Sequence, residues 1–398
     1  MKQAILDTLG DWLPDMTDIR RGIHAWPELA FQEVRTADTV AALLESWGIE
    51  THRGLGQTGV VGRITGTQAG RSIGLRADMD ALPMPEANTF AHASRNPGVM
   101  HACGHDGHTT MLLAAGRYLA QHRDFPGTVN LIFQPAEEGG GGARHMIEDG
   151  LFDRFPMDAV FGMHNWPGLP VGTFGLTEGP IMASSNRFDI TLTGRGAHGA
   201  MPHLGVDPVV AAAQLTLAFQ TILTRDQDPL DAGVISVTQI HAGSADNVIP
   251  DQAVLRGTVR TLSTAVLDVI ESRMRDISQH LAQALRCTAD FNFSREYPAT
   301  VNHPAQTALS TQVLSDLVGA DNVRTAVRPS MGAEDFAFML QARPGCYIWI
   351  GNGDGDHRSA GHGLGPCTLH NGSYDFNDEL IPLGAAYWVM LTHRYLAA

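Results

Sequence analysis

Apolar and polar positions along the chain change period several times, and the changes mark out its elements. The first 45 residues predict two helices around the turn HAWPELAFQE. From Gly59 the pattern becomes that of strands: GVVGRITG, then RSIGLRADMD after the turn TQAG. MLLAAGRYLAQH is helical, TVNLIFQPAEE is a strand running into a polar end, and DAVFGMHN is another strand. Strands alternating with helices predict an α/β fold built on a doubly wound, mostly parallel mixed sheet.

Near residue 183 the style changes. NRFDITLTGRG alternates like a strand, VDPVVAAAQLTLAFQTIL is helical, and AGVISVTQI and AVLRGTVRTL are strands. A long amphipathic helix, TAVLDVIESRMRDISQHLAQAL, and the strand ADFNFSREY complete a β-α-β-β-α-β order, the ferredoxin-like split unit. Residues 183–297 are therefore expected to form an inserted domain, and 1–182 with 298–398 a discontinuous one. A length of 398 residues, too great for one hydrophobic core, agrees with two domains.

Composition narrows the function. Charged residues are 17% and the formal net charge is -15, which argues against nucleic acid and anionic membrane as partners. No 18-residue apolar run and no signal-peptide pattern follow the N-terminal lysine, so neither a membrane span nor export is expected. The four cysteines, Cys103, Cys287, Cys346 and Cys367, form no C-x-x-C pair, which fits a reducing cytoplasm.

In open α/β sheets ligands bind beyond the carboxyl ends of the strands. Asp78 and Asp80 follow one apolar run, Glu137 and Glu138 another, and His164 a third. MHACGHDGHTT, just before a helix, adds Cys103 and His105, and GPCTLHNGSYDF adds His370. Taken singly, each has a plain structural reading: Cys103 as a small buried side chain, Glu137-Glu138 as a solvated acidic turn, His164 as a satisfied core histidine. Convergence on one sheet edge favours ligands. Gly104 lets Cys103 and His105 face one point. Successive extended residues point to opposite faces, so Glu138 can bind metal while Glu137 reaches a water. Cys103, His105, Glu138, His164 and His370 are too many for one tetrahedral zinc but suit two divalent ions about 3.5–4 Å apart. A bridging water would then attack a carbonyl, with Glu137 as general base. Asp106, His101 and His108 are read as supporting or helix-start residues, and His24, His52, His92, His122 and His145 as surface residues.

Seven segments in order carry a family resemblance: GLRADMDALPM, MHACGHDGHTTMLL, FQPAEEGGGGARHMIEDG, FGMHNWPGLPVG, GRGAHGAMPHLGVDPV, ADNVIPD and GAEDFAFML. The chain resembles the M20 metallopeptidases, in the branch with hippurate hydrolase, N-acyl-amino-acid amidohydrolases and plant auxin-conjugate hydrolases. The resemblance implies a dinuclear site on Cys103, His105, Glu138, His164 and His370, with zinc, manganese, cobalt or nickel. It implies Glu137 as base and Asp80 as the aspartate orienting a ligand imidazole. Other branches place a histidine at Asp78 and an aspartate near Cys103. The inserted domain resembles the family's lid, which also mediates homodimerisation. His198 would stabilise the oxyanion in the partner's site, and Asn247 would touch substrate. The implied substrate is an N-acyl amino acid; a dipeptidase or carboxypeptidase, and a catalytically idle metal-binding protein, are the alternatives.

Two other motifs fail on context. GRSIG resembles a serine nucleophile elbow, but Ser72 opens a strand instead of joining strand to helix. GNGDGDHRSAGHGLG lacks the helix a dinucleotide site needs.

Overall fold

The structure is a computed structural model that describes residues 1–397. It divides into two compact units. One comprises Met1–Ile181, Val301–Arg328 and Asp335–Ala398, and the other Met182–Thr300 with Pro329–Glu334. Each has its own apolar core.

The first unit begins with three helices, α1 (Lys2–Asp11), α2 (Leu13–His24) and α3 (Val34–Ser46), where two were expected over the first 45 residues. The break at Trp12 has a simple cause. Pro14 lies in the first turn of α2, and its ring would clash with the carbonyl four residues back in a continuous helix. A strand the apolar pattern did not disclose, β1 (Glu50–Leu55), precedes β2 (Gly59–Thr65) and pairs with it antiparallel. All but Leu55 are exposed or only partly buried, so no alternation marks it.

β3 (Gln68–Asp78), β4 (Pro126–Gln134), β5 (Ala159–Pro167), β6 (Phe174–Gly175), Val323–Arg324 and Gly345–Gly353 complete an eight-stranded mixed sheet. Its order is β1, β2, β4, β3, β5, Gly345–Gly353, β6, Val323–Arg324. The four central strands are parallel. Their carboxyl ends therefore share one edge, and Asp78, Gln134 and His164 all lie there. Central strands covered on both faces are continuous apolar runs. Arg76 and Asp78 are exceptions, two buried charges on one face of β3.

Helix α4 (His105–Gln121) packs against this sheet. A side chain at Gly116 would come within 2.6 Å of Leu131, so glycine sets the helix–sheet distance. Helix Leu380–Leu396 packs beside α4 and against the same sheet, and is almost wholly buried. α4 is thereby held by sheet and helix together.

The second unit contains strand Ser185–Thr193, helix Pro208–Thr221, strands Gly233–Ala242 and Gln252–Thr261, helix Thr264–Ala284 and strand Thr288–Tyr297. The four strands form an antiparallel sheet in the order Gly233–Ala242, Gln252–Thr261, Ser185–Thr193, Thr288–Tyr297. Among the described residues no helix is long and apolar enough to cross a membrane.

Candidate metal centre

The chain reaches the sheet edge through turns that need unusual backbone. Gly104 has φ 86 and starts α4. A side chain there would collide with Asn165 and the Tyr374 hydroxyl. Glycine is thus required twice over, by conformation and by space. Ala136, just before the Glu137-Glu138 pair, is also left-handed at φ 54, and so is His370 at φ 58.

These turns bring the five predicted ligands together. Cys103 Sγ lies 3.3 Å from His164 Nε2. His370 Nε2 lies 3.1 Å from Glu138 Oε1, and His105 Nε2 lies 3.9 Å from the same oxygen. Two donor groups each have atoms within 4.8 Å of one another: Cys103 with His105 and His164, and Cys103 with Glu138 and His370. Cys103 belongs to both. Cys103, His105 and His164 are buried, whereas the His370 side chain is 54% exposed.

Supporting groups fix the donors. Asp80 Oδ1 lies 3.2 Å from His105 Nδ1, and its other oxygen accepts from the Glu138 backbone N–H at 2.9 Å. One carboxylate therefore ties the start of α4 to the turn after β4. The ring proton is drawn to Nδ1, and Nε2 is turned towards the other donors. His105 Nε2 is buried and makes no hydrogen bond, as suits a ligand atom. The His164 Nδ1–H donates to the Asn165 carbonyl at 2.6 Å, leaving Nε2 beside Cys103.

Asp78 and His108, adjacent to the donors, are already engaged. The His108 Nδ1–H donates to Asp78 at 2.6 Å, and Nε2 accepts from the Asn165 backbone N–H at 2.9 Å. Both ring nitrogens are used, so His108 supports the centre and does not compete as a ligand. Arg76 holds the other Asp78 oxygen at 2.7 Å and also bonds Gln134 and Asp335. Asp335, with its backbone N–H 3.4 Å from Glu137 Oε1, extends this lattice to the base.

Electrostatics favour a cation. Burial raises the Cys103 thiol well above its ordinary value, and the charges of Glu138, Glu137 and Asp78 raise it further. Burial alone would lower His105, but Asp78, Asp80 and Glu138 outweigh it and lift it to about 10. A proton on His105 thus stands where metal charge would otherwise balance the carboxylates. Burial holds His164 well below its usual value, neutral and ready to coordinate. Thiolate, imidazoles and carboxylate are the donor types that divalent transition ions take, and binding would expel the thiol and imidazolium protons.

His198 and Asn247 lie in the second unit. His198 pairs with Val248, and the Gly199 N–H donates to the Asn247 carbonyl at 2.7 Å, so Asn247 stands just before the strand that pairs with His198. His198 Nδ1 accepts from the Ala200 N–H at 3.1 Å, which places the neutral ring's proton on Nε2.

One set of residues was misplaced. His24 is not at the surface but fully buried. It lies 2.8 Å from Asp106 and 3.2 Å from Glu86. Arg20, one turn earlier on α2, is also buried and meets Asp106, Asp375 and Asp378. The Arg20–His24 spacing put both on one helix face. That was the available signal: Asp106, buried beside His105, needs positive partners. Arg76 carried a similar signal as a charge inside an apolar strand.

Residues 74–392 match the model of peptidase family M20/M25/M40. The chain is 41% identical over 392 residues to the hippurate hydrolase of Campylobacter jejuni, covering 98% of each chain. It is 38% identical to thermostable carboxypeptidase 1 of Saccharolobus solfataricus over 97% of this chain and 95% of that one. A Bacillus subtilis dinuclear metal binding peptidase from the M20 family superposes with a TM-score of 0.84 at 33% identity, over 98% of this chain and 99% of that one.

His24 yields a pH prediction. Burial alone would lower its pKa, but the charge and hydrogen bond of Asp106 and the bond to Glu86 outweigh burial and raise it from 6.5 to about 10. A raised histidine stabilises fully below its unfolded value and loses that stabilisation as pH rises through the folded value. Thermal stability of the wild type should therefore fall more steeply between pH 6.5 and 10 than that of His24→Gln. Parallel melting-temperature profiles would contradict this.

Proposed function

The chain belongs to peptidase family M20/M25/M40, and from that premise we propose that it is a dinuclear metal-dependent amidohydrolase of N-acyl amino acids. The observation that carries the reading is the sharing of Cys103 between two donor groups, with Glu137 buried beside them. Cys103, His105 and His164 would hold one ion, and Cys103, Glu138 and His370 the other. Zinc or manganese suits this set, as do cobalt and nickel; one thiolate among imidazoles does not select between them.

When bound, the ions supply a water acidified towards neutrality and a polarised scissile carbonyl. Glu137 takes the proton of the attacking water and passes it to the leaving amine. Asp80 keeps the His105 ring oriented. Cys103, His105 and His164 are buried, while the exposed side of His370 leaves the centre open to substrate and water.

Hippurate is N-benzoylglycine. Its hydrolysis and carboxypeptidase action both break an amide on the amine side of a terminal amino acid. Both relatives thus point to one bond type. Benzoyl, acetyl, indolyl and aminoacyl groups are the candidate acyl parts, and the carboxypeptidase relative favours a dipeptidase or carboxypeptidase as the second reading.

The second unit is read as an inserted ferredoxin-like lid spanning about residues 183–297, within a protein that works in the cytoplasm. Support comes from its βαββαβ element order and antiparallel strand order. The lid also serves as a homodimer surface. Strand Gly233–Ala242 is a sheet edge, and helix Pro208–Thr221 exposes Val209, Val210 and Leu217. His198 Nε2–H donates to the oxyanion in the partner's site, and Asn247 contacts substrate.

Chelated protein should recover hydrolysis of N-benzoylglycine or N-acetyl amino acids on addition of Mn²⁺ or Zn²⁺. Glu137→Gln should lower kcat by about 10²–10⁴-fold with metal content retained. Failure of metal to restore cleavage of any acyl-amino acid or dipeptide would favour the idle metal-binding alternative. For the shared site, mixing inactive His198→Ala and Glu137→Ala chains should regenerate activity. Verified heterodimers that stay inactive would sink the sharing.

A further inference from the structure

The turn HAWPELAFQE joins α2 to α3, and its two acidic groups, one partly and one fully buried, bind backbone. Glu28 accepts from the backbone N–H groups of Arg35 and Thr36 at the start of α3, and its carbonyl accepts from the Ala81 N–H at 2.8 Å. The segment thus grips the backbone next to Asp80. Glu33, at its other end, is fully buried. One Glu33 oxygen accepts from the Phe31 N–H at 3.1 Å and the Ala136 N–H at 2.9 Å, and the other from the Thr58 hydroxyl at 2.5 Å.

Both backbone donors to that oxygen are strained. Phe31 has φ 62 and Ala136 has φ 54, a region that disfavours residues with a side chain. Ala136 immediately precedes Glu137 and Glu138, and its carbonyl accepts from the Gly142 N–H at 3.1 Å. If Ala136 relaxed to negative φ, the direction of both following carboxylates would change.

Resting on the hydrolase reading above, we propose that Glu33 is a positioning residue for the Glu137-Glu138 pair: its buried oxygen holds Ala136 left-handed and so aims base and ligand. Glu33 touches neither substrate nor metal. Burial, reinforced by the charge of Asp80, raises its carboxyl to about 7 against the pull of its hydrogen bonds. The three bonds it accepts assign its function to where the acceptor oxygens stand.

That position sets the test. Glu33→Gln keeps a carbonyl oxygen for Phe31 and Ala136, and the Thr58 hydroxyl can turn to accept from the amide. Glu33→Asp keeps the acid but withdraws it by one methylene. Glu33→Gln should retain kcat within about threefold, whereas Glu33→Asp should lose about tenfold or more at unchanged KM and metal content, a positioning loss. Hydrogen exchange across residues 135–142 should rise about tenfold or more in Glu33→Asp alone, as when one backbone brace is lost. Adding Ala136→Gly to Glu33→Asp should recover part of the lost kcat, since glycine holds positive φ without help. Equal kcat in the Asp and wild-type proteins, or equal losses in Gln and Asp, would overturn the proposal. If the metal-loaded wild type cleaves no acyl-amino acid and no dipeptide, the hydrolase reading fails, while the exchange measurement still decides whether Glu33 braces the turn: no difference between Asp and Gln overturns it.

Discussion

The structure depends on a concentration of buried negative charge at the carboxyl edge of its central strands. Asp78, Asp80, Glu137 and Glu138 stand within a few residues of one another in space, around imidazoles that have little access to water. Such groups are costly to bury unless each meets a donor or a cation. Arg76, His105 and His108 provide part of the balance. The remainder is the physical reason for reading the cluster as a metal centre. A divalent ion would replace the proton that these carboxylates hold on His105.

The rest of the first unit can be understood as support for that edge. Parallel strands bring their ends to one line, and α4, packed against both the sheet and helix Leu380–Leu396, presents Cys103 and His105 from a fixed start. Asp80 couples this start to the Glu138 turn through its two oxygens. Farther out, the segment between α2 and α3 holds the backbone at Ala81 and Ala136, while Arg20 and His24 neutralise Asp106 beneath the centre. Positive φ at Ala136 and His370 shows that aiming the donors uses disfavoured backbone, held at Ala136 by Glu33.

Much of this was legible in the sequence because the signals were local. Apolar runs located the central strands, and polar residues directly after them located the edge. Motifs in fixed order supplied the family, and with it the roles proposed for Asp80, His198 and Asn247. What the chain concealed was mostly long-range. Nothing near His24 announces that Asp106, 82 residues away, will pair with it. Glu33 looks like the polar end of a turn until Ala136 arrives beside it. β1 was missed because all its residues but Leu55 are exposed or partly buried and carry no alternation. The break between α1 and α2 was present in the sequence as Pro14, but two short amphipathic helices in succession resemble one.

The central claim is that Cys103 joins two ions in one site. Metal analysis of the Co²⁺-loaded protein, read together with its thiolate-to-cobalt charge-transfer absorption, tests it most directly. The account predicts two ions per chain and an absorption band that disappears in Cys103→Ser while the three other cysteines remain. A single ion per chain, or a band that survives Cys103→Ser unchanged, would contradict it.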